Sequence, residues 1–240
     1  MRYQTVEQGV FLSRPNRFIA RCLLHGEEAT VHVKNTGRCR ELLIPGTTVW
    51  LEKAGSVSRK TAWSLVTVEK KLENGETLLV NLDSQAPNAV AFEAAQAGVL
   101  PFSFLKGTPP LFLRREVYFE DSRYDLYGET ADTRFLIEVK GVTLERGGAV
   151  YFPDAPTERG VKHLEGLCRA VNAGYRCGVL FVVQMERASF FAPNIQTHAA
   201  FGDALRRAKK CGVEILAMCC QVQPDEMRIT HSIPVELPEN

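Results

Sequence analysis

The stretch DLYGETADTRFLIEVK holds two carboxylates and a lysine whose types and spacing can do chemistry: Asp125, Glu138 and Lys140. In an extended strand successive side chains alternate between faces, so Glu138 and Lys140 project together, about 7 Å apart, while Phe135, Ile137 and Val139 point the other way. Asp125 lies thirteen residues before Glu138, a separation that a hairpin closes, bringing the two carboxylates side by side. Phosphodiester hydrolysis needs such a set. A hard divalent cation, Mg²⁺ or Mn²⁺, takes its ligands from one or two carboxylates and water. Held there, it acidifies a bound water, and a neighbouring lysine stabilises charge developing on the phosphate. Asp125 and Glu138 are thus the expected metal ligands and Lys140 the third catalytic group. Glu116 upstream is a candidate outer carboxylate, and Gln184 a candidate to hydrogen-bond a metal water or a phosphate. The plainer alternative is a solvated E-x-K pair on an edge strand.

A second concentration of functional types is FPDAPTERGVKHL, 152–164. Thr157 reads as a helix N-cap, which sets Arg159, Lys162 and His163 near a helix start, where free backbone N–H groups attract phosphate. Further forward, SRPNRF, VKNTGRCR and SRK put Arg14, Arg17, Lys34, Arg38, Arg40, Arg59 and Lys60 in or near turns, with Phe18 and Trp50 as stacking faces. Cations interleaved with aromatics on a small barrel are the means by which single strands are bound. Solvated surface charges are the rival reading for both groups.

The elements that must position these residues fall into two parts. Short β-like runs at 18–24, 29–34, 47–52, 62–70 and 76–81, separated by turn residues, predict a five-stranded barrel of the OB type. A change of texture at DSQAPNAV places a domain boundary near residue 85, giving an OB-fold-like nucleic-acid-binding domain at 1–85 and a second domain at 86–240. There, an alanine-rich helix closes at Gly98 and is followed by a meander at 111–120, 122–129 and 133–144, then an extended run at 149–154. A helix over 158–173, a buried strand at 176–185, a helix at 196–211 carrying His198, Phe201, Leu205 and Ala208 on one stripe, and a strand at 213–222 complete it. The class is α+β, with a mixed sheet in the second domain.

Composition narrows the function classes. The 240 residues are 45% hydrophobic and 24% charged, as in ordinary globular chains, and the net charge is +1. Bulk attraction to nucleic acid is excluded, so any binding rests on local patches. Twelve Lys/Arg face nine Asp/Glu through residue 85, against 17 and 19 beyond it, a slight basic lean where the barrel is expected. No apolar stretch approaches the roughly 18 residues of a membrane helix and the N-terminus does not read as a signal peptide, so the cytosol is expected, with no membrane partner. Seven cysteines without CxxC spacing argue against a disulfide framework or a zinc cluster; they read as reduced thiols, most of them packing.

The stretches SRPNRFIA, VKNTGRCRELLIPGTTVWL, VNLDSQAPN, LRREVYFEDSRYDLY, FLIEVKGVTL, FPDAPTERGVKHL and GVEILA run in order through nearly the whole chain. By them the chain resembles the sugar fermentation stimulation protein family, SfsA. The resemblance implies an N-terminal OB-fold joined to a PD-(D/E)xK nuclease-like domain, largely sequence-non-specific DNA binding, and a link to sugar (maltose) metabolism; Asp125, Glu138 and Lys140 match the nuclease-like motif. Arg38-Cys39 and Pro156 depart from the pattern without touching that motif. The expectation is a protein that holds single- or double-stranded DNA and hydrolyses it with Mg²⁺ or Mn²⁺, a homodimer being open. The rival is a non-catalytic DNA-binding regulator, although no helix-turn-helix pair is found. A glycoside hydrolase on an oligosaccharide-binding barrel is a third reading, disfavoured by the lysine beside Glu138.

Overall fold

A computed structural model describes residues 1–35, 37–55, 61–72 and 74–237. The first part is a closed barrel of β1 (Val6–Asn16), β2 (Ile19–Leu24), β3 (Glu27–Val33), β4 (Thr48–Lys53) and β5 (Trp63–Lys71). β1 pairs antiparallel with β2 and β4, β2 with β3, β4 with β5, and a parallel β3–β5 pairing closes the ring. Alternation fills its interior: Ala20, Cys22 and Leu24 of β2 turn inward against Phe11, Val31, Val49, Leu51 and Leu65. β6 (Thr77–Asn81) joins the edge of β5 beyond the end of β3.

The barrel is thus five-stranded, but its membership differs from the five runs expected. β1 is a barrel strand, and the run at 76–81 is the appended β6. β1 is hard to read because Gly9 and Arg14-Pro15-Asn16 interrupt its apolar pattern and its pairing with β2 shifts register twice. Gly9 is there for closeness: a Cβ would lie 2.9 Å from the Leu23 carbonyl oxygen and 3.3 Å from Leu51.

The second part is a six-stranded mixed sheet in the order β15 (Glu226–Ile233), β14 (Glu214–Gln223), β12 (Arg176–Val183), β9 (Arg134–Val142), β8 (Ser122–Glu129), β7 (Phe112–Phe119). β9, β12 and β14 run parallel, and β12 is buried almost throughout, as its β-branched run demands. α1 (Ala86–Gln96) covers one face, against Phe135, Ile137 and Val139. α2 (Glu158–Asn172) and α3 (Ile195–Lys210) cover the other, against Tyr124, Leu136 and Phe181. The small strands β10 (Leu144–Arg146), β11 (Ala149–Phe152) and β13 (Phe191–Pro193) form a separate sheet. β10, β13 and β15 lie outside the expected runs; the first two are three residues each, and β15 is a largely polar edge strand.

α2 starts as its sequence dictates, the Thr157 hydroxyl accepting the Gly160 N–H at 3.0 Å. In α3, Phe201, Leu205 and Ala208 are buried as the stripe requires, but His198 has non-helical angles, and its ring accepts the Thr157 N–H at 3.3 Å. All seven cysteines are free; Cys219 and Cys220 pack into opposite sides of the sheet. Among the described residues no helix is long and apolar enough to cross a membrane.

The two parts share one hydrophobic core, and polar contacts cross between them. Lys70 pairs with the buried Glu145, the Asn81 N–H donates to the Gln184 carbonyl at 2.9 Å, and the Tyr3 N–H donates to the Asp225 carbonyl at 2.8 Å.

Candidate functional site

Glu138 and Lys140 share the face of β9 that looks toward α2. Glu138 is 2% exposed. Its Oε1 accepts from Lys140 Nζ at 2.5 Å and from His163 Nδ1 of α2, also at 2.5 Å, while its Oε2 is buried with no partner. Burial pushes this carboxyl up, but the Lys140 charge and the His163 bond outweigh it and leave the pKa below the ordinary value, so the group is a carboxylate. His163 Nε2 lies 3.3 Å from Arg159 Nε. Since guanidinium only donates, Nε2 is the acceptor and Nδ1 carries the proton given to Glu138.

Asp125 takes its place through a break in pairing. β8 and β9 are in register only from Leu126–Ile137 onward, and Asp125 stands one step beyond. There its Oδ2 accepts the Val139 N–H at 2.7 Å, replacing the missing strand, and its Oδ1 accepts from Asn88 of α1 at 2.7 Å. Burial, then repulsion from Glu138, raises its pKa to about 6, against the lowering effect of these bonds.

The donor set can be tested against a hard cation. A buried carboxylate oxygen without a donor costs free energy unless something positive meets it, and Glu138 Oε2 is in that position. Each Asp125 oxygen keeps a lone pair beyond its one N–H. Glu138 and Asp125 therefore fit a cation such as Mg²⁺ or Mn²⁺ that keeps several waters. Among the described residues no group of three or more His, Cys, Asp and Glu is arranged to hold a metal, so a closed zinc-type cage is absent from them.

Other candidates are placed elsewhere. Glu116 lies exposed on the edge strand β7, opposite Asp125 in an unbroken β7–β8 register but with a left-handed backbone, and it pairs with Arg123 and not with Glu138 or Lys140. Gln184 is buried, and its Nε2 donates to the Asn81 backbone carbonyl at 2.9 Å, to Asn81 Oδ1 and to the Asp83 carbonyl, both at 3.2 Å; it joins the two parts of the molecule. Lys162 pairs with Asp121 at 3.0 Å on the surface.

The barrel cations divide. Arg14 gives its guanidinium to four backbone carbonyls, those of Arg17, Asn35, Gly37 and Arg38, all within 2.8 Å. Lys34 is held between Asp83 at 2.8 Å and Glu52 at 3.1 Å. Both are structural, a correction to their reading as phosphate contacts, because their charge is already met inside the fold. Arg17, Arg38 and Arg40 are exposed and line one cavity of about 290 Å³, and Arg17 stacks on the half-exposed Phe18. Arg59, Lys60 and Thr36 lie outside the described residues.

The residue whose role sequence reading missed is His163. It reads there as a phosphate clamp, whereas it is buried and orients Glu138. Its place on the buried stripe Gly160, His163, Leu164, Leu167 is the signal that marks it.

Two family models match the chain: the SfsA N-terminal OB domain over residues 12–80 and the sugar fermentation stimulation protein RE domain over residues 85–226. A sugar fermentation stimulation protein homolog of Desulfitobacterium hafniense is 48% identical over the whole of both chains, and that of Ruminiclostridium cellulolyticum is 43% identical over 99% of this chain and all of its own. Among solved structures, Pyrococcus furiosus SfsA in complex with Ca²⁺ superposes with a TM-score of 0.85 over 98% of each chain at 23% identity, a likeness of fold. Matched by family model across most of its length, and by relatives from end to end, the chain belongs to the sugar fermentation stimulation protein family.

Proposed function

We propose that this protein binds DNA along its arginine rim and hydrolyses phosphodiesters at Asp125, Glu138 and Lys140. One observation carries the reading: Glu138 is held as a buried carboxylate with Oε1 saturated by Lys140 and His163 and with Oε2 unpartnered. A divalent cation bound by Glu138 and Asp125 supplies Lewis acidity and an acidified water. The chain's own residues do the rest. His163 Nδ1–H fixes Oε1, so Oε2 is the oxygen left for a cation. Lys140 Nζ, 15% exposed, lies against Glu138 and orients a phosphate oxygen. Arg17, Arg38 and Arg40 hold the backbone by charge, and Phe18 offers a face to a base. The nuclease-like reading of the second part rests on the D…E-x-K motif, and that of a hard cation is supported by the Ca²⁺ described for the Pyrococcus relative. A cytosolic setting suits seven free thiols.

A second reading, a DNA-binding regulator without catalysis, is favoured by the N–H donors already on both Asp125 oxygens. Labelled single- and double-stranded DNA incubated with Mg²⁺, Mn²⁺ or EDTA separates the two. Metal-dependent product that disappears in Asp125→Ala and Lys140→Ala supports the nuclease. Binding by every variant, with no product under either metal, leaves the regulator.

A further inference from the structure

Beside the carboxylate site, at the seam between the two parts, lies a cavity of about 210 Å³ whose lining includes Asn35, Ser84, Thr143, Tyr151, Asp154 and Gln184. It opens at the carboxyl ends of the parallel strands β9 and β12, the end at which α/β sheets hold ligands. Gly141, the residue after Lys140, also lines it. Asp125, Glu138 and Lys140 themselves do not line it, so it adjoins that site along the end of β9.

The chemistry of the wall identifies the occupant. Among the described residues no Lys, Arg or His lines this cavity, and the one charged group lining it is Asp154, which repels a phosphate. Amides and hydroxyls dominate instead, together with the rings of Tyr151 and Phe152. The Gln184 Nε2 is occupied by Asn81 and Asp83, which leaves its Oε1 as the acceptor end for a ligand. Gly37 is shared with the arginine-lined cavity, so a neutral pocket and a cationic one abut. Two glycines keep the space: a Cβ at Gly37 would meet the Asp154 carboxylate at 2.3 Å, and one at Gly141 would meet Gln184 Oε1 at 2.4 Å.

A neutral, hydrogen-bonding, base-sized pocket beside a cationic groove matches a nucleotide split between its base and its phosphate. We propose that this cavity receives one unpaired base of a nucleic-acid strand whose phosphates lie on Arg17, Arg38 and Arg40, so that the protein selects single strands or frayed ends over continuous duplex. The inference rests on the nucleic-acid reading above and deepens it. A base pair does not fit such a cavity, and a base drawn from duplex must first be unstacked at a cost that a single strand avoids.

The test uses a single-stranded oligonucleotide with 2-aminopurine moved position by position, free and annealed to its complement, with EDTA present to prevent cleavage. Wild type is expected to bind the single strand about tenfold more tightly than blunt duplex, a stacking-sized preference, and to change the fluorescence of one position only. Ser84→Trp places an indole at the exposed mouth; it should erase that signal and weaken single-strand binding about tenfold while leaving duplex binding within about twofold. Thr143→Val, which keeps the volume and removes a hydroxyl, should weaken the single strand alone by a few-fold. Equal losses on both substrates, or a fluorescence change spread over all positions, overturn the base pocket and leave nucleic-acid binding standing. Complete displacement of the oligonucleotide by millimolar free adenosine overturns the strand-selective reading in favour of a nucleoside site. Wild type that binds neither substrate sinks the nucleic-acid reading, and the pocket with it.

Discussion

The acidic site on β8 and β9 and the basic rim of the barrel treat charge in opposite ways. At the site, the polar groups hold one another: Glu138 accepts from Lys140 and His163, His163 accepts from Arg159, and Asp125 accepts from two N–H donors, with one Glu138 oxygen left open. On the rim, two cations are consumed within the fold, Arg14 on carbonyls and Lys34 on carboxylates, and among the described candidates Arg17, Arg38 and Arg40 are left exposed where a phosphate can reach them. A charged residue is therefore functional or structural by virtue of its partner, and the side-chain type alone does not decide it.

The largest effect should come from breaking the buried end of this comparison. Glu138→Ala removes the oxygen to which Lys140 and His163 both donate and leaves these two buried donors without their acceptor; cleavage should fall at least about a thousandfold, and urea denaturation should show a loss of about 3 kcal/mol. A stable variant with wild-type cleavage would show that Glu138 is neither ligand nor keystone. Next comes Arg14→Ala, in which four carbonyls lose their donor; a loss of about 2 kcal/mol in the same assay is expected, with DNA binding weakened as a consequence. If binding falls while stability holds, Arg14 belongs to the rim after all.

The Asp125 carboxyl gives a pH signature in metal-free protein. Its folded pKa, about 6, exceeds its ordinary 3.8, so between these values the folded state binds more protons than the unfolded one. Stability from this group is then greatest below about pH 4 and is lost as pH rises to about 6, beyond which the loss is constant. Asp125→Asn should flatten that part of the stability–pH curve and be more stable than wild type at pH 7. A curve unchanged by the substitution removes burial as the governing influence. The smallest effect is on the open rim: Arg38→Ala should leave stability within about 0.5 kcal/mol while lowering the slope of log affinity against log salt by about one.

Much of this was legible in the chain. Alternation and caps gave most strands of the sheet and all three helices to within a few residues, because buried strands and amphipathic helices write their period into sequence. β1 escaped because its bulges and Gly9 answer to neighbours across the barrel. The motif residues Glu138 and Lys140 were readable from i, i+2 spacing alone. What Asp125 bonds was not, since its partners, Val139 and Asn88, meet it only after β8 leaves β9. Arg14 and Lys34 look like Arg38 in sequence; only the carbonyls of Arg17, Asn35, Gly37 and Arg38 and the carboxylates of Glu52 and Asp83 tell them apart.

The barrel is tied to the second part near both ends of its chain, where Tyr3 is bonded to Asp225 and Asn81 to Gln184, with Lys70–Glu145 and Glu76–Arg187 as lateral ties over a shared hydrophobic core. A body hung by a single thread can spin; one clamped at both ends of its chain resists torsion. The arginine rim and the Glu138 carboxylate are therefore a fixed span apart, so a bound strand, being the softer partner, is the one that must bend to touch both.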